Sequence, residues 1–194
     1  MKHLIRYGIA VVAGVVIGGG TAVFVLGQSR LGGEIDVAGW RSDPRIGSET
    51  ADALTRAAVA RTGLFALNRE EAVYFTKAKD DQGRAFDPAC IYRVSGGALP
   101  ARWWSITLYA EDFFLAQNGD EAHSIDATQV GSGAWSALVS PERPEGASNW
   151  LSSQNAGRFD LLIRFYNPEA VMLNAPETIP FPSVERVSCR EGGV

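Results

Sequence analysis

The sequence predicts a mainly β protein: an antiparallel β-sandwich, jelly-roll-like, preceded by one short helix and an N-terminal transmembrane helix. Three observations predict it. From Glu71 onward, apolar and polar residues alternate with period two. Turn signals at Asn118-Gly119, Pro141, Pro144-Glu145-Gly146 and Asn167-Pro168 cut that stretch into short runs. Tyr7 to Ser29 carries no charge at neutral pH over 23 positions, enough as a helix to cross a bilayer's hydrocarbon core.

The apolar span comes first. It is longer than the core of a cleaved signal peptide, and Val23-Phe24-Val25-Leu26-Gly27-Gln28-Ser29 offers no well-placed small-x-small cut site. The expectation is a retained anchor over residues 1–29 with a short cytoplasmic arm. Lys2 and Arg6 precede the span. Arg30, which follows it, is soon offset by Glu34 and Asp36. The short basic arm therefore stays inside and the remainder lies outside. In a bacterium that means a single pass through the inner membrane, with the C-terminal domain in the periplasm. Ala10, Gly14, Gly18 and Ala22 recur every fourth residue, a spacing that lets two backbones approach and so admits a homodimer through the anchor.

Residues 30–47, rich in Gly with mixed charge, read as a linker. Residues 48–194 are enough for one domain with a sizeable core. Ser48 reads as the N-cap of a helix that Glu49 and Asp52 favour and Gly63 ends. Val73 and Phe75 then share one strand face, and Asp80-Asp81-Gln82-Gly83 forms a turn. Cys90, Tyr92 and Val94 alternate in the next strand. Trp104, Ile106 and Leu108 oppose Ser105, Thr107 and Tyr109 in a third. Phe159, Leu161, Ile163 and Phe165 oppose Asp160, Arg164 and Tyr166 in a later one. Shorter strands are expected near His123–Ala127, Trp135–Val139 and Thr178–Cys189.

Composition excludes several chemistries. Without Lys2 and Arg6, 16 basic residues face 22 acidic ones, a net charge of −6 for the part beyond the anchor. No basic run appears, which argues against nucleic acid as a partner. His3 and His123 are the two histidines and Cys90 and Cys189 the two cysteines, so multi-histidine and thiolate metal sites are excluded by count. No cofactor-binding or nucleophile-elbow motif is present, and no metal or cofactor is expected. In an oxidising compartment Cys90 and Cys189 suggest a disulfide; two buried free thiols are the alternative. The turn at Asp80–Gly83 lacks the alternating ligands of a calcium loop. Glu111, Asp112, Asp120 and Glu121, near His123, are the acids an enzyme would use, although solvated loop acids account for them as well. Trp103, Trp104, Trp135, Trp150 and Tyr109 serve either a ligand or the core.

The order of several motifs resembles a known family. Arg69-Glu70-Glu71-Ala72-Val73-Tyr74-Phe75 is followed by Leu99-Pro100, Trp104-Ser105-x-Thr107-x-Tyr109, Asn118, Asn149-Trp150-Leu151 and Leu162-x-Arg164-x-Tyr166-x-Pro168. Together they resemble the bacterial domain of unknown function 1214, over about residues 50 to 188. Ser152 stands where that family usually has proline. The resemblance implies a β-rich, jelly-roll-like domain. It also implies a companion, domain of unknown function 1254, upstream in longer members, which makes a partner carrying that domain an expectation. It brings no established activity.

Two readings follow. One is a non-catalytic binding or envelope-assembly module, with Ser105, Thr107, Tyr109, Arg164 and Tyr166 as one polar–aromatic patch if their strands are neighbours, and Asn149 and Trp150 as its rim. The other is an envelope hydrolase acting on glycan or lipid through Asp112, Asp120 or Glu121.

Overall fold

Alternation becomes two stacked sheets in the computed structural model, which describes residues 2–28, 35–61, 64 and 66–190. Helix α1 runs Lys2–Gln28, and within it Ile5–Val25 is long and apolar enough to span a membrane. Strands β1 (Ile35–Val37) and β2 (Trp40–Ser42) precede helix α2 (Ala53–Arg61). Then come β3 (Ala72–Lys77), β4 (Cys90–Gly96), β5 (Ala101–Tyr109), β6 (Ser124–Asp126) and the short helix α3 (Ala127–Val130). Strands β7 (Trp135–Ser140), β8 (Trp150–Ser152) and β9 (Asp160–Pro168), helix α4 (Ala170–Asn174), a 3-10 turn at Pro176–Thr178 and β10 (Ser183–Cys189) complete the order.

One sheet has six strands in the order β1-β2-β3-β9-β5-β6; the other has four, β10-β4-β7-β8. Pairing is antiparallel except between β7 and β8, which run parallel. The core lies between the sheets. Val73, Phe75, Trp104, Ile106, Leu108, Leu161, Ile163 and Phe165 face Tyr92, Val94, Ala137, Val139, Leu151 and Val184. Each buried Val, Leu, Ile or Phe contributes about 1.5–3 kcal/mol. Phe86 stacks on Phe159 at 5.1 Å and Trp104 packs on Trp135 at 4.8 Å. Gly96 is required there, because a Cβ at that position would sit 2.7 Å from the Trp135 ring. The sandwich and the inward faces of β3, β4, β5 and β9 agree with the expectation from alternation.

Three expectations need correction. Residues 35–47 are not a tether. β1 and β2 form a hairpin whose two-residue turn, Ala38-Gly39, has φ of 52° and 80°, the left-handed pair that tight hairpins use. Trp40 is fully buried and its Nε1 donates to the Pro182 carbonyl at 2.8 Å. Glycine content hid this, because three-residue strands are too short to show a period. The helix also begins later than Ser48. Asp52 accepts from the Thr55 N–H at 2.7 Å and caps α2, while the Ser48 hydroxyl turns back to the Arg45 carbonyl. The expected strand at His123–Ala127 stops at Asp126, whose carboxylate joins Gln129 in a capping box for α3. Residues 29–34 of the expected linker and the expected helix stop at Gly63 lie outside the described residues.

Cys90 and Cys189 form a disulfide, at directly opposed positions on β4 and β10. The two cysteines are 99 positions apart in the chain. The turn after β3 also holds β10: Asp81 N–H donates to the Val184 carbonyl at 2.9 Å, and the Asp81 carboxylate accepts from the Val184 N–H at 2.8 Å.

Candidate functional site

The outer face of the six-stranded sheet is not open to solvent. Ile46, Leu64, Ala72, Tyr74 and Leu162 form a second apolar cluster there, joined by Val59, Ala66, Tyr109 and Tyr166. The segment carrying α2 therefore lies across β3, β9 and β5. Tyr74 sits beneath it, its hydroxyl accepting from the Leu67 N–H at 3.1 Å, and burial pushes its phenol above the usual value. Ser105 and Thr107, expected on a less apolar face, are buried on this outer side as well.

The fit is incomplete, and a cavity of about 1050 Å³ remains. Tyr109, Leu162 and Arg164 line it from the sheet. Leu54, Thr55, Ala58 and Leu64 line it from α2 and the segment that follows. Phe113, Phe114 and Leu115 line it from the loop after β5. That loop is tightly turned. Asp112 accepts from the Phe114 N–H at 3.0 Å, Ala110 N–H donates to the Phe114 carbonyl at 2.8 Å, and Phe113 has φ of 68°. Such a backbone is uncommon for a bulky side chain. The Arg61 guanidinium lies 5.7 Å from the Phe113 ring centre, so the loop meets the end of α2.

Most charges on the lining are paired. Arg41 holds Asp36 at 2.9 Å and Lys77 holds Asp81 at 2.7 Å. Arg45 grips Asp43 with two N–H groups, at 2.9 and 2.7 Å, which hold that carboxyl below the usual carboxylate range. Asp80 is buried, and burial alone pushes its carboxyl up. The N–H groups of Arg84 and Gln82 and the Arg84 guanidinium at 2.7 Å outweigh that effect and leave it lowered. The Asp80–Gly83 segment is thus a turn that consumes its own acids. Asp52, at the start of α2, is lowered too, first by the Thr55 N–H it caps.

Arg164 is different. Its Nη2 donates to the Tyr109 hydroxyl at 2.5 Å, and its guanidinium lies 5.4 Å from that ring's centre. Among the described residues no carboxylate comes within ion-pair distance of it. β5 and β9 are neighbours, with Ser105 opposite Arg164 and Trp103 opposite Tyr166.

The seven expected ligand-site residues therefore separate. Tyr109 and Arg164 meet on the cavity lining. Ser105 and Thr107 are buried on the same sheet face beside them, and Tyr166 packs on Trp103 at 5.3 Å beyond the lining. Asn149 and Trp150 lie at β8 in the other sheet and donate to the Ser136 and Ser140 carbonyls. They brace β7 and form no rim. Other motif residues also act as ties. Arg69 donates to the Leu173 carbonyl at 2.7 Å, and Asn118 to the Gln154 carbonyl at 3.0 Å. Ser152 donates its N–H to the Ala122 carbonyl at 2.8 Å, a bond that proline could not make. The acids considered for hydrolysis sit elsewhere. Asp120 accepts from the Ser152 hydroxyl at 2.5 Å, and neither it nor Asp112 nor Glu121 lines the cavity. Along α1, Ala10, Gly14, Gly18 and Ala22 are exposed, and a Cβ on Gly14 or Gly18 would meet nothing within 4 Å.

Sequence reasoning missed the contributions of α2 and of Phe113-Phe114-Leu115. An apolar triplet directly after the acidic pair Glu111-Asp112 was the available signal, since Phe114 remains 68% exposed.

Comparison with solved structures finds the VPA0106 protein from Vibrio parahaemolyticus, with a TM-score of 0.59 and 20% identity over 90% of this chain and 44% of that one. It also finds an uncharacterized protein from Burkholderia cenocepacia, with a TM-score of 0.46 and 13% identity over 60% of this chain and 30% of that one. The chain thus spans less than half the length of the Vibrio protein, and that likeness shows the fold alone. No curated protein matches. The family model described as "Protein of unknown function (DUF1214)" matches residues 71–170, which take in β3 to β9 and both Tyr109 and Arg164, and the chain belongs to that family.

Proposed function

We propose that the protein is a membrane-tethered binding module, non-catalytic, which holds a small molecule between α2 and the outer face of its six-stranded sheet. The observation that carries this is the cavity of about 1050 Å³ with Tyr109 and Arg164 on its lining. Its size lies at the upper end of ordinary ligand pockets, and its lining joins an apolar strip, Leu54, Leu162, Phe113 and Phe114, to charged side chains that are mostly paired with one another. The hydrolase alternative finds less support. A general acid near neutral pH needs a raised carboxyl; two of the acids on the lining, Asp43 and Asp80, are lowered, and Asp112, Asp120 and Glu121 lie off it.

The compartment belongs to the same proposal. Lys2 and Arg6 before α1 support an inside amino terminus, and the Cys90–Cys189 disulfide supports an oxidising exterior such as the periplasm. A reporter enzyme active only outside the cytoplasm, fused after Val194, will be active; a cytoplasmic signal contradicts the orientation. Self-association through the face of Ala10, Gly14, Gly18 and Ala22 is part of this reading. Crosslinked dimers of the full chain in membranes should be lost in Gly14→Ile and Gly18→Ile.

The binding role is tested with Ala58→Trp, which places an indole in the cavity from α2. Full-length protein purified from membranes is extracted, and its small molecules are identified by mass spectrometry. A compound should be enriched with the wild-type chain and absent from Ala58→Trp. Identical profiles contradict the proposal. A second reading, docking to a protein that carries the companion domain, rests on the family resemblance. Affinity purification of the full chain should then recover such a protein.

A further inference from the structure

The cavity's chemistry narrows the class of ligand. Arg164 carries five N–H donors, and one of them goes to the Tyr109 hydroxyl. The donating nitrogen is Nη2, whose two hydrogens belong to the two different edges of the guanidinium. Whichever one Tyr109 takes, the other completes a two-donor edge, either with Nε or with Nη1. That edge matches a planar carboxylate with two parallel hydrogen bonds. Tyr109 holds the guanidinium by hydroxyl and ring together, so little side-chain freedom remains to be lost on binding.

Charge sets the valence. Asp43 is gripped by Arg45 and Asp81 by Lys77, so those cations are already committed. Asp160, opposite Tyr109 across the β5–β9 pair, also lines the cavity, and it is not within ion-pair distance of Arg164. Lys79, the other lining cation without an ion pair among the described residues, is exposed, so the half-buried Arg164 is the cation that faces a ligand within the cavity, and its one charge suits one negative charge. A phosphate ester would call for more cations or a cluster of backbone N–H groups.

Shape sets the remainder. Beside Arg164 the lining carries an apolar strip, Leu162 on the sheet, Leu54 on α2, and Phe113 and Phe114 on the loop, the last exposed at the edge of the cavity, with Asp160 next to it on β9. We infer that the site takes an amphipathic monocarboxylic acid, its carboxylate on Arg164 and its hydrocarbon chain between α2 and the Phe113–Phe114 loop. This rests on the cavity being a ligand site, as proposed above.

The test uses the full chain, released from non-ionic detergent for native mass spectrometry. Decanoate, decanol and decyl phosphate are offered at equal concentration. Wild-type protein should retain decanoate with an apparent affinity at least about tenfold above the other two, as expected of a charge-assisted pair. Arg164→Gln should lose that preference while still retaining decanol, which shows that its cavity is intact. Arg164→Lys, which keeps the charge and loses the fork, should fall between the two. Arg143→Gln, outside the lining, should match wild type. Equal retention of decanoate and decanol by wild type overturns the acid assignment and leaves the cavity standing. Preference for decyl phosphate overturns the carboxylate. A decanoate preference that survives in Arg164→Gln overturns the role of Arg164. Retention of none of the three overturns the cavity reading together with this one.

Discussion

At the scale of single residues, the arginines divide by whether their charge is spent. Arg45, Arg84 and Arg190 each hold a carboxylate at 2.7 Å, whereas Arg164 holds a phenol. Asp80 shows what a spent charge does. It is buried, takes two backbone N–H groups and the Arg84 guanidinium, and has Arg186 at 3.5 Å. Asp80→Asn should cost about 2 kcal/mol, since the amide cannot satisfy all of those donors and leaves Arg186 underpaired. Thermal unfolding of the full chain in detergent measures it. The pH dependence has a definite sign. A carboxyl lowered in the folded state contributes stability that is complete above its unfolded pKa, about 3.9, and is lost as pH falls through the folded value. The gap between wild type and Asp80→Asn should therefore be constant near neutrality and shrink below about pH 4. A gap that persists unchanged at pH 2 would contradict it.

At the scale of elements, the β1–β2 hairpin is the clearest test, because its sequence reads as tether. Trp40→Ala should destabilise the domain by about 3–5 kcal/mol, the usual result of emptying a large core site. A tether residue would cost nothing measurable. The pair Cys90→Ala and Cys189→Ala should cost about 4–5 kcal/mol in the chain-entropy account of a loop this long. Strands β3, β4, β5 and β9 were legible because their inner residues keep period two over six to nine positions. The β1–β2 hairpin was not, because three-residue strands show no period, and its Ala-Gly turn lacks the Asn-Gly signature. The start of α2 was misplaced because Ser48 and Asp52 both suit a cap, and the choice was made by Arg45, which engages the Ser48 hydroxyl through its carbonyl and Asp52 through its guanidinium.

At the scale of the whole molecule, the site is a product of long-range packing. Tyr109 and Arg164 were legible as partners once β5 and β9 were neighbours, for both fall on outward positions. Their roof was not legible, because nothing local says that the segment carrying α2 lies across β3, β9 and β5 or that its fit leaves a cavity. Asn149 and Trp150 fall away from the patch for the same reason: nothing local says which sheet β8 joins. The resulting molecule pairs a two-sheet core, which supplies stability, with a looser outer layer, which supplies space. Substitutions in the first should move the melting temperature; substitutions on the lining, such as Arg164→Gln, should move ligand retention and leave melting within a few degrees.

The central claim is that this space is occupied in the cell. Phe114 lines the cavity and is 68% exposed, so a benzophenone amino acid can replace it with little disturbance. Illumination of living cells, followed by intact mass analysis of the full chain, reads directly what lies against that position. The account predicts an added mass of small-molecule size that disappears when Arg164→Gln is introduced into the same chain. An unmodified chain would contradict it, and an adduct unchanged by Arg164→Gln would overturn the role given to Arg164.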